Sequence, residues 1–554
     1  MQAPLQFLHF GPWAAELRGE ELADIRYRGN PVLRGMRAVV RDHNWLTLTP
    51  EVQSLRTERS PEQLTTVLET TWHNEHSRYR GITTLVMDHN GLSLSFRGTA
   101  VEDFSSNRIG LVVLHRPDDA GRPVIVTSPD GSTTSGTFPR NISPHQPFMN
   151  IAAMAWDRDN TAFVLDFEGD VFETEDQRNW TDASFKTYGT PLSKPFPVAH
   201  AAGDEVRQSV RLIARRTVTI TDKIAGTVPH LGTSAAPVCP SRRARGEAKG
   251  LTLCPVLVEV AVQPHVAAAT ISAGEAAALS DALDADLDVR IVANSPGEVA
   301  IILRTLPLGR AQRLGVYDGV THVTSSVLWE ALVRASRELG FGGDLVAGAR
   351  SHFTELNRNP GSARSAAAGA TYSITPQMHA VELTSMVETL PMQTLSAINA
   401  LRISGNRPLH LGPVTLAPRF NAVATEAPQD PDDAAPDPLT GSSFAAAWLL
   451  GSIEALTIPG VASISYGTTA ELALPSGTLL QQLARQTGME ILATDNHDGS
   501  GIAVYPVRDP QGLIVYAANL TDRPASIRVI APGGQGHDLD LAPWQTLALP
   551  GAGP

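Results

Sequence analysis

Short apolar runs separated by Gly, Pro, Asn and Asp give the chain two rhythms. Up to about residue 225 the runs are β-type: GITTLVMDHNGLSLSFRG (81–98), IGLVVLHRP (109–117), RPVIVTSPDGS (122–132), TAFVLDFEG (161–169) and VRLIARRTVTI (210–220). A period of two between turn signals predicts a large antiparallel β-sandwich over residues 1–225. Asn90-Gly91 predicts a type I′ hairpin, because both residues tolerate positive φ.

Residues 226–254 lose all periodicity and read as a connector. Beyond them strand-like runs alternate with helical ones. The strand-like runs are VLVEVAV (256–262), DVRIVAN (288–294), LGVYDG (314–319), DLVAGARSH (344–352), TYSITPQMH (371–379), PLHLG (408–412) and VASISYG (461–467), with MEILATD (489–495) as an eighth. AGEAAALSDALDADL, SSVLWEALVRASRELG and SSFAAAWLLGSIEAL lie between some of them. Near-continuous apolar strands alternating with helices predict parallel βαβ units, and this number of them predicts a (β/α)8 TIM-like barrel over 255–498. The Pro/Asp/Ala-rich stretch 424–441 reads as a loop within the barrel, and residues 499–554 as a small C-terminal β-sheet domain.

A chain of 554 residues needs several cores, and 42% hydrophobic with 18% charged residues suits packed globular domains. The net charge of −13 argues against a broad phosphate-binding surface, so nucleic acid is not expected as a partner. The one dense basic run, Arg242, Arg243, Arg245 and Lys249, reads as a solvated loop. The first residues show no charged segment followed by an unbroken apolar one, and no window reaches the roughly 18 to 20 apolar residues of a membrane span. A cytoplasmic protein without a membrane partner is therefore expected.

Several chemistries are disfavoured by pattern. Cys239 and Cys254 are too few for a disulfide framework and lack zinc-site spacing. H-E-x-x-H is absent, HNEH (73–76) reads as surface polarity, and no metal is predicted. G-x-S-x-G is absent too, and GTSAA (232–236) lies in an irregular stretch, which disfavours Ser-His-Asp catalysis.

The densest mixture of functional side chains is FEGDVFETEDQRNWTDASFKTYGTPL (167–192). It supplies Glu173, Glu175, Asp176, Arg178, Asn179, Asp182 and Lys186 beside Trp180, Phe185 and Tyr188. Carboxylates and amides that bond hydroxyls, together with aromatic faces that cover a ring, suit a sugar-binding cleft. A salt-bridged loop would use the same residues. In a barrel, active-site groups belong at the C-terminal ends of strands. That rule selects His352, Glu355, Asn357 and Arg358, then Gln377, His379, Glu382 and Glu388, then Arg419 and Asn421, and finally Tyr466.

Two chemistries remain open for such a mouth. Glu355 and Glu388 would form the acid/base and nucleophile of a retaining glycosidase if their carboxyls lie about 5 to 5.5 Å apart. Alternatively a carboxylate or His379 activates water toward a lactone carbonyl, with Arg and Asn donors stabilising the oxyanion. A non-catalytic carbohydrate-binding protein would need aromatic platforms without convergent acid and base groups.

The 167–192 segment resembles the D-apionate lactonase family, bacterial enzymes that hydrolyse D-apionolactone during apiose catabolism. Supporting matches follow in order: NRIGLVVLHRP (107–117), FPRNISPHQPF (138–148), FTELNR (353–358), ITPQMHAVELTSMVETL (374–390) and GPVTLAPRFNAVAT (412–425). The resemblance implies lactone hydrolysis on a small carbohydrate substrate with no nucleotide or flavin cofactor. It leaves a homo-oligomer admissible. Carried onto matching positions, it implies substrate contacts at Glu173, Glu175, Asp176, Arg178, Asn179, Asp182 and Lys186, and a barrel set of Glu355, Asn357, Arg358, Gln377, His379, Glu388 and Arg419. The expected catalytic groups are Glu355, Glu388 and His379, and Tyr466 joins the expected substrate-binding set.

Overall fold

The computed structural model describes residues 5–74, 77–159, 161–235, 253, 255–264, 269–364, 366–419, 437–496 and 501–550. The basic run 242–249, Cys239, Cys254, Asn421 and the 424–436 part of the Pro/Asp-rich stretch lie outside the described residues. The chain forms two compact units. One comprises Met1–Val218 with Arg523–Val529 and Gly536–Asp540; the other comprises Thr219–Asp522 with Ile530–Gln535 and Leu541–Pro554.

The N-terminal unit is built from antiparallel strands. One sheet runs Gln6–Phe10, Trp13–Arg18, Glu21–Tyr27, Asn30–Asp42, Phe104–Leu114, Phe185–Tyr188, Phe172–Asp176 and Phe148–Ile151 in spatial order. In the other, Thr161–Glu168 and Gly91–Ala100 flank the first part of Glu205–Thr227, and Arg78–Met87, Leu64–His73 and Thr49–Arg59 continue outward. Alternation decides which face is buried: along Arg78–Met87 every second residue is inaccessible. Leu8, Trp13 and Ile25 of the first sheet share one apolar core with Leu85, Phe96 and Phe163 of the second.

The Asn90-Gly91 hairpin forms by a different turn. Neither residue takes a positive φ. Instead the Asp88 carboxylate accepts from the Asn90 and Gly91 amides at 2.7 and 2.8 Å, an Asx-type turn that competes with the backbone-only alternative. Gly91 is required for another reason: a Cβ there would lie 2.5 Å from the Leu212 carbonyl oxygen of the neighbouring strand.

The second unit contains a closed parallel barrel of eight strands, His230–Ser234, Val256–Val260, Leu287–Ala293, Ala311–Asp318, Asp344–His352, Gly369–Ser373, Leu409–Val414 and Val461–Thr468. The barrel expectation thus holds, with two corrections. The first strand, HLGTS, comes from within the stretch read as connector. The stretch read as an eighth strand, MEILATD, forms Glu490–Thr494, which pairs antiparallel with Ile502–Asp509 outside the barrel. Residues 499–554 are divided between the units: the paired strands Ile502–Asp509, Gly512–Asn519 and Thr546–Pro550 go with the barrel, whereas 523–529 and 536–540 go with the N-terminal unit.

Serines start four of the described helices of this unit. Ser272, Ser295, Ser325 and Ser442 each accept a bond from the amide three residues on, satisfying one donor that a helix start leaves orphaned. Among the described residues no helix is long and apolar enough to cross a membrane.

Candidate active site at the barrel mouth

Strand alternation turns charged residues into the barrel. In the second strand Val256, Val258 and Val260 join the apolar layer under the helices, so Leu257 and Glu259 project inward. In the fifth strand Ala347 and Ala349 are packed outward in the same way, so Arg350 projects inward. Glu259 Oε2 lies 2.5 Å from an Arg350 Nη and 2.9 Å from an Arg419 Nη, an Arg-Glu-Arg cluster shielded from water. Burial pushes the Glu259 carboxyl up, but Arg350 and Arg419 outweigh it and hold it below its ordinary value. Arg419 also donates to the Arg350 carbonyl at 2.8 Å. Ser373, one strand along, braces that carbonyl and the next one at 3.1 and 2.9 Å.

The loops above the strands add bases to this cationic floor. Asp318 ends the fourth strand and accepts from the Val320 and Thr321 amides at 2.9 and 2.8 Å, folding a turn that delivers His322. The His322 carbonyl accepts from the Arg350 amide at 3.0 Å, which fixes the turn against the fifth strand. The fifth strand ends at His352 and runs directly into the short helix Phe353–Arg358. There Ser351 Oγ donates to Glu355 Oε2 at 2.9 Å. Burial lowers the His352 pKa, Arg419 lowers it further, and Glu355 opposes both; His322 is lowered by burial and by Arg350 against Glu259, Glu355 and Asp318. Both imidazoles are thus biased toward the neutral form, which accepts protons.

Deeper inside, the barrel is filled by an ionic lattice rather than by branched aliphatic layers. Arg290 grips Asp288 bidentately at 2.8 and 2.9 Å, Arg313 adds a bond at 3.0 Å, and Arg290 also donates to Tyr317 Oη at 2.8 Å. Tyr317 bonds Thr371 at 2.7 Å, and His410 bonds Ser463 at 2.8 Å. Glu259 pairs in register with Arg290, which places the mouth cluster beside this lattice.

Of the barrel residues selected from sequence, the structure brings Glu355, His352 and Arg419 to this cluster. Asn357 and Arg358 are exposed on the helix that carries Glu355. His379 is exposed, and Glu382 and Glu388 are exposed at the two ends of the helix Leu383–Glu388. Gln377 donates to Asp437 at 2.5 Å. Tyr466 projects outward from the eighth strand, only 3% accessible, bonds Ser452 at 2.9 Å and lines an apolar cavity of about 50 Å3. Sequence reasoning missed Glu259, Arg350 and His322. For Glu259 the signal was present, a lone charge inside an otherwise apolar strand, whereas Arg350 shares its strand with Asp344, Ser351 and His352.

The 167–192 segment forms two adjacent antiparallel strands in the N-terminal unit, Phe172–Asp176 and Phe185–Tyr188. Most of its expected sugar contacts are spent internally. Glu173 accepts from Tyr188 Oη at 2.5 Å and the Leu192 amide at 2.8 Å. Asp176 binds Arg178 at 2.7 Å and the Ser143 amide at 2.9 Å. Arg178 and Asn179 hold backbone carbonyls of 139–143 and of Asp176. Glu175 pairs with Lys186 at 2.5 Å and accepts from Trp180 at 2.9 Å. Lys186 and Asp182 do border a cavity, of about 160 Å3, together with Arg34, Arg37, Arg41 and Arg108.

Comparison with known proteins matches both units. The family model described as D-apionate lactonase, N-terminal domain, matches residues 1–217, and that of the D-apionate lactonase TIM barrel domain matches residues 318–498. The D-apionate lactonase of Brucella anthropi is 26% identical over 505 residues, covering 83% of this chain and 81% of that protein. Among solved structures, a family 30 subfamily 8 xylanase from Clostridium acetobutylicum covers 60% of this chain and 98% of its own at 8% identity and a TM-score of 0.39. A beta-arabinopyranosidase covers 98% and 96% at 10% identity and a TM-score of 0.28. Scores this low carry no weight for fold or function. With both family models matching in order and together covering the greater part of its length, the chain belongs to the D-apionate lactonase family.

Proposed function

We propose that this protein is a lactone hydrolase that opens a sugar-acid lactone of the D-apionolactone type, serving apiose catabolism in the cytoplasm. The observation that carries the reading is Glu355, held by Ser351 at the barrel mouth among two neutral-biased imidazoles and the Arg350–Glu259–Arg419 cluster. A water oxygen attacks the lactone carbonyl carbon while its proton passes to Glu355. Negative charge that develops on the carbonyl oxygen is stabilised by the guanidinium field of Arg419 and Arg350. Collapse of the tetrahedral intermediate breaks the ring C–O bond, and the proton on Glu355 transfers to the departing alkoxide. The product is a hydroxy acid whose new carboxyl group ionises and releases one proton to solvent.

That released proton is the readout. A pH-indicator assay over a panel of aldonolactones including D-apionolactone, beside aryl glycosides on the same preparation, tests the reading. Saturable lactone opening above the spontaneous rate is expected. Release from a glycoside with no action on lactones would instead assign Glu355 and Glu388 to glycoside cleavage.

A further inference from the structure

The N-terminal unit concentrates positive charge where nothing in the hydrolytic mechanism uses it. Arg41 of Asn30–Asp42 and Arg108 of Phe104–Leu114 stand directly opposite each other on neighbouring antiparallel strands. Like charges in that position destabilise a sheet. Arg34 and Arg37 lie on the same strand as Arg41, and Lys186 on the strand beyond Arg108; all five border the cavity of about 160 Å3. Among the described lining residues Asp182 is the one acid, while Glu175 pairs with Lys186 at 2.5 Å and Glu21 with Arg37 at 3.5 Å. Such a cluster runs against the chain's net charge of −13.

Arg108 is the most telling member. It is 94% buried (6% accessible) and its guanidinium sits 3.7 Å over the Tyr188 ring and interacts with the Tyr188 side chain, but among the described residues its Nε has no hydrogen-bond partner. A buried cationic donor left unsatisfied is costly unless something outside the chain completes it. Burial lowers the Lys186 pKa, Glu175 opposes that, and Arg108 and Arg41 lower it again, so the cations repel one another across the cavity.

We infer that this cavity is an oxyanion-binding site for a small polyhydroxylated carboxylate or phosphate, held by Arg41, Arg108 and Lys186 with Arg34 and Arg37 at its border. The site stands independently of whether the barrel opens lactones.

Calorimetric titration of the full-length protein at fixed ionic strength, with gluconate, glucose 6-phosphate, inorganic phosphate and uncharged glucose as probes, tests it. At least one oxyanion is expected to bind with a Kd of about 1 mM or tighter, and glucose is not. Preference for gluconate identifies a carboxylate site; preference for either phosphate probe identifies a phosphate site. Arg108→Met is expected to weaken binding at least about tenfold. Arg41→Gln removes one of the two opposed charges, so without ligand it is expected to melt no lower than the parent, while losing the parent's Tm rise on addition of the oxyanion. Binding unchanged in both variants, or no oxyanion binding in the parent up to about 10 mM, overturns the inference.

Discussion

Ser351 Oγ donates to Glu355 Oε2 at 2.9 Å, joining the last turns of a barrel strand to the first turn of the helix that follows it. The bond orients a half-buried carboxylate toward the mouth without consuming its second oxygen. Glu355→Gln is expected to lower kcat for lactone opening by about 10² to 10⁴. Glu388→Gln, altered at an exposed helix end, is expected to stay within about threefold of the parent. Equal losses in the two variants, measured by proton release, would remove Glu355 from its role.

Glu259 pairs with both Arg350 and Arg419 in the mouth cluster. Glu259→Gln removes the buried carboxylate that these two guanidiniums share. A loss of about 3 to 5 kcal/mol is expected in urea unfolding at neutral pH. A variant as stable as the parent would mean that water or other groups already neutralise the cluster.

His115 is fully buried, bonds Thr187 at 2.7 Å, and is lowered by burial to about 4 against a weaker opposing pull from Asp119. The folded chain therefore binds fewer protons at this position than the unfolded chain. Its stabilising contribution is complete above the ordinary value of 6.5 and is lost as pH falls toward about 4, a loss of about 3 kcal/mol. Replacing it with Gln is expected to flatten the fall in unfolding free energy between these pH values. An unchanged slope in the His115→Gln variant would contradict the assignment.

Tyr466 bonds Ser452 in the layer between barrel and helices, away from the inward faces. Tyr466→Phe is expected to cost about 1 kcal/mol in stability and to leave kcat/KM within about twofold. A large change in KM at unchanged stability would return it to the binding surface.

The barrel was legible because its strands bury both faces and so read as apolar runs, while their helices carry a different period. Its first strand was not: His230 is exposed, and Gly232, Thr233 and Ser234 are buried without being apolar, so HLGTS leaves almost no apolar signal. Glu490–Thr494 was legible as a strand, but its pairing with Ile502–Asp509 depends on long-range register that local pattern does not contain. At the site, exposed-looking motif residues such as Asn357 and His379 drew attention, whereas Glu259 and Arg350 were masked by the valines and alanines around them. The arginines of the N-terminal cavity were equally hidden, since Arg37 and Arg41 sit in one strand and Arg108 becomes their neighbour only when the sheet forms.

The ionic lattice at the centre of the barrel carries an implication for how such a protein can diverge. Asp288, Arg290, Arg313, Tyr317 and Thr371 are bonded to one another in sequence, so a change at any one of them removes a partner from its neighbour. Variation there is confined to compensated pairs or triples, which arise rarely. The loops beyond the strands are held by smaller, separate sets of bonds, such as Ser351 with Glu355 and Gln377 with Asp437. Descendants of this scaffold are therefore expected to acquire new specificities at the rim while inheriting the charged interior almost verbatim.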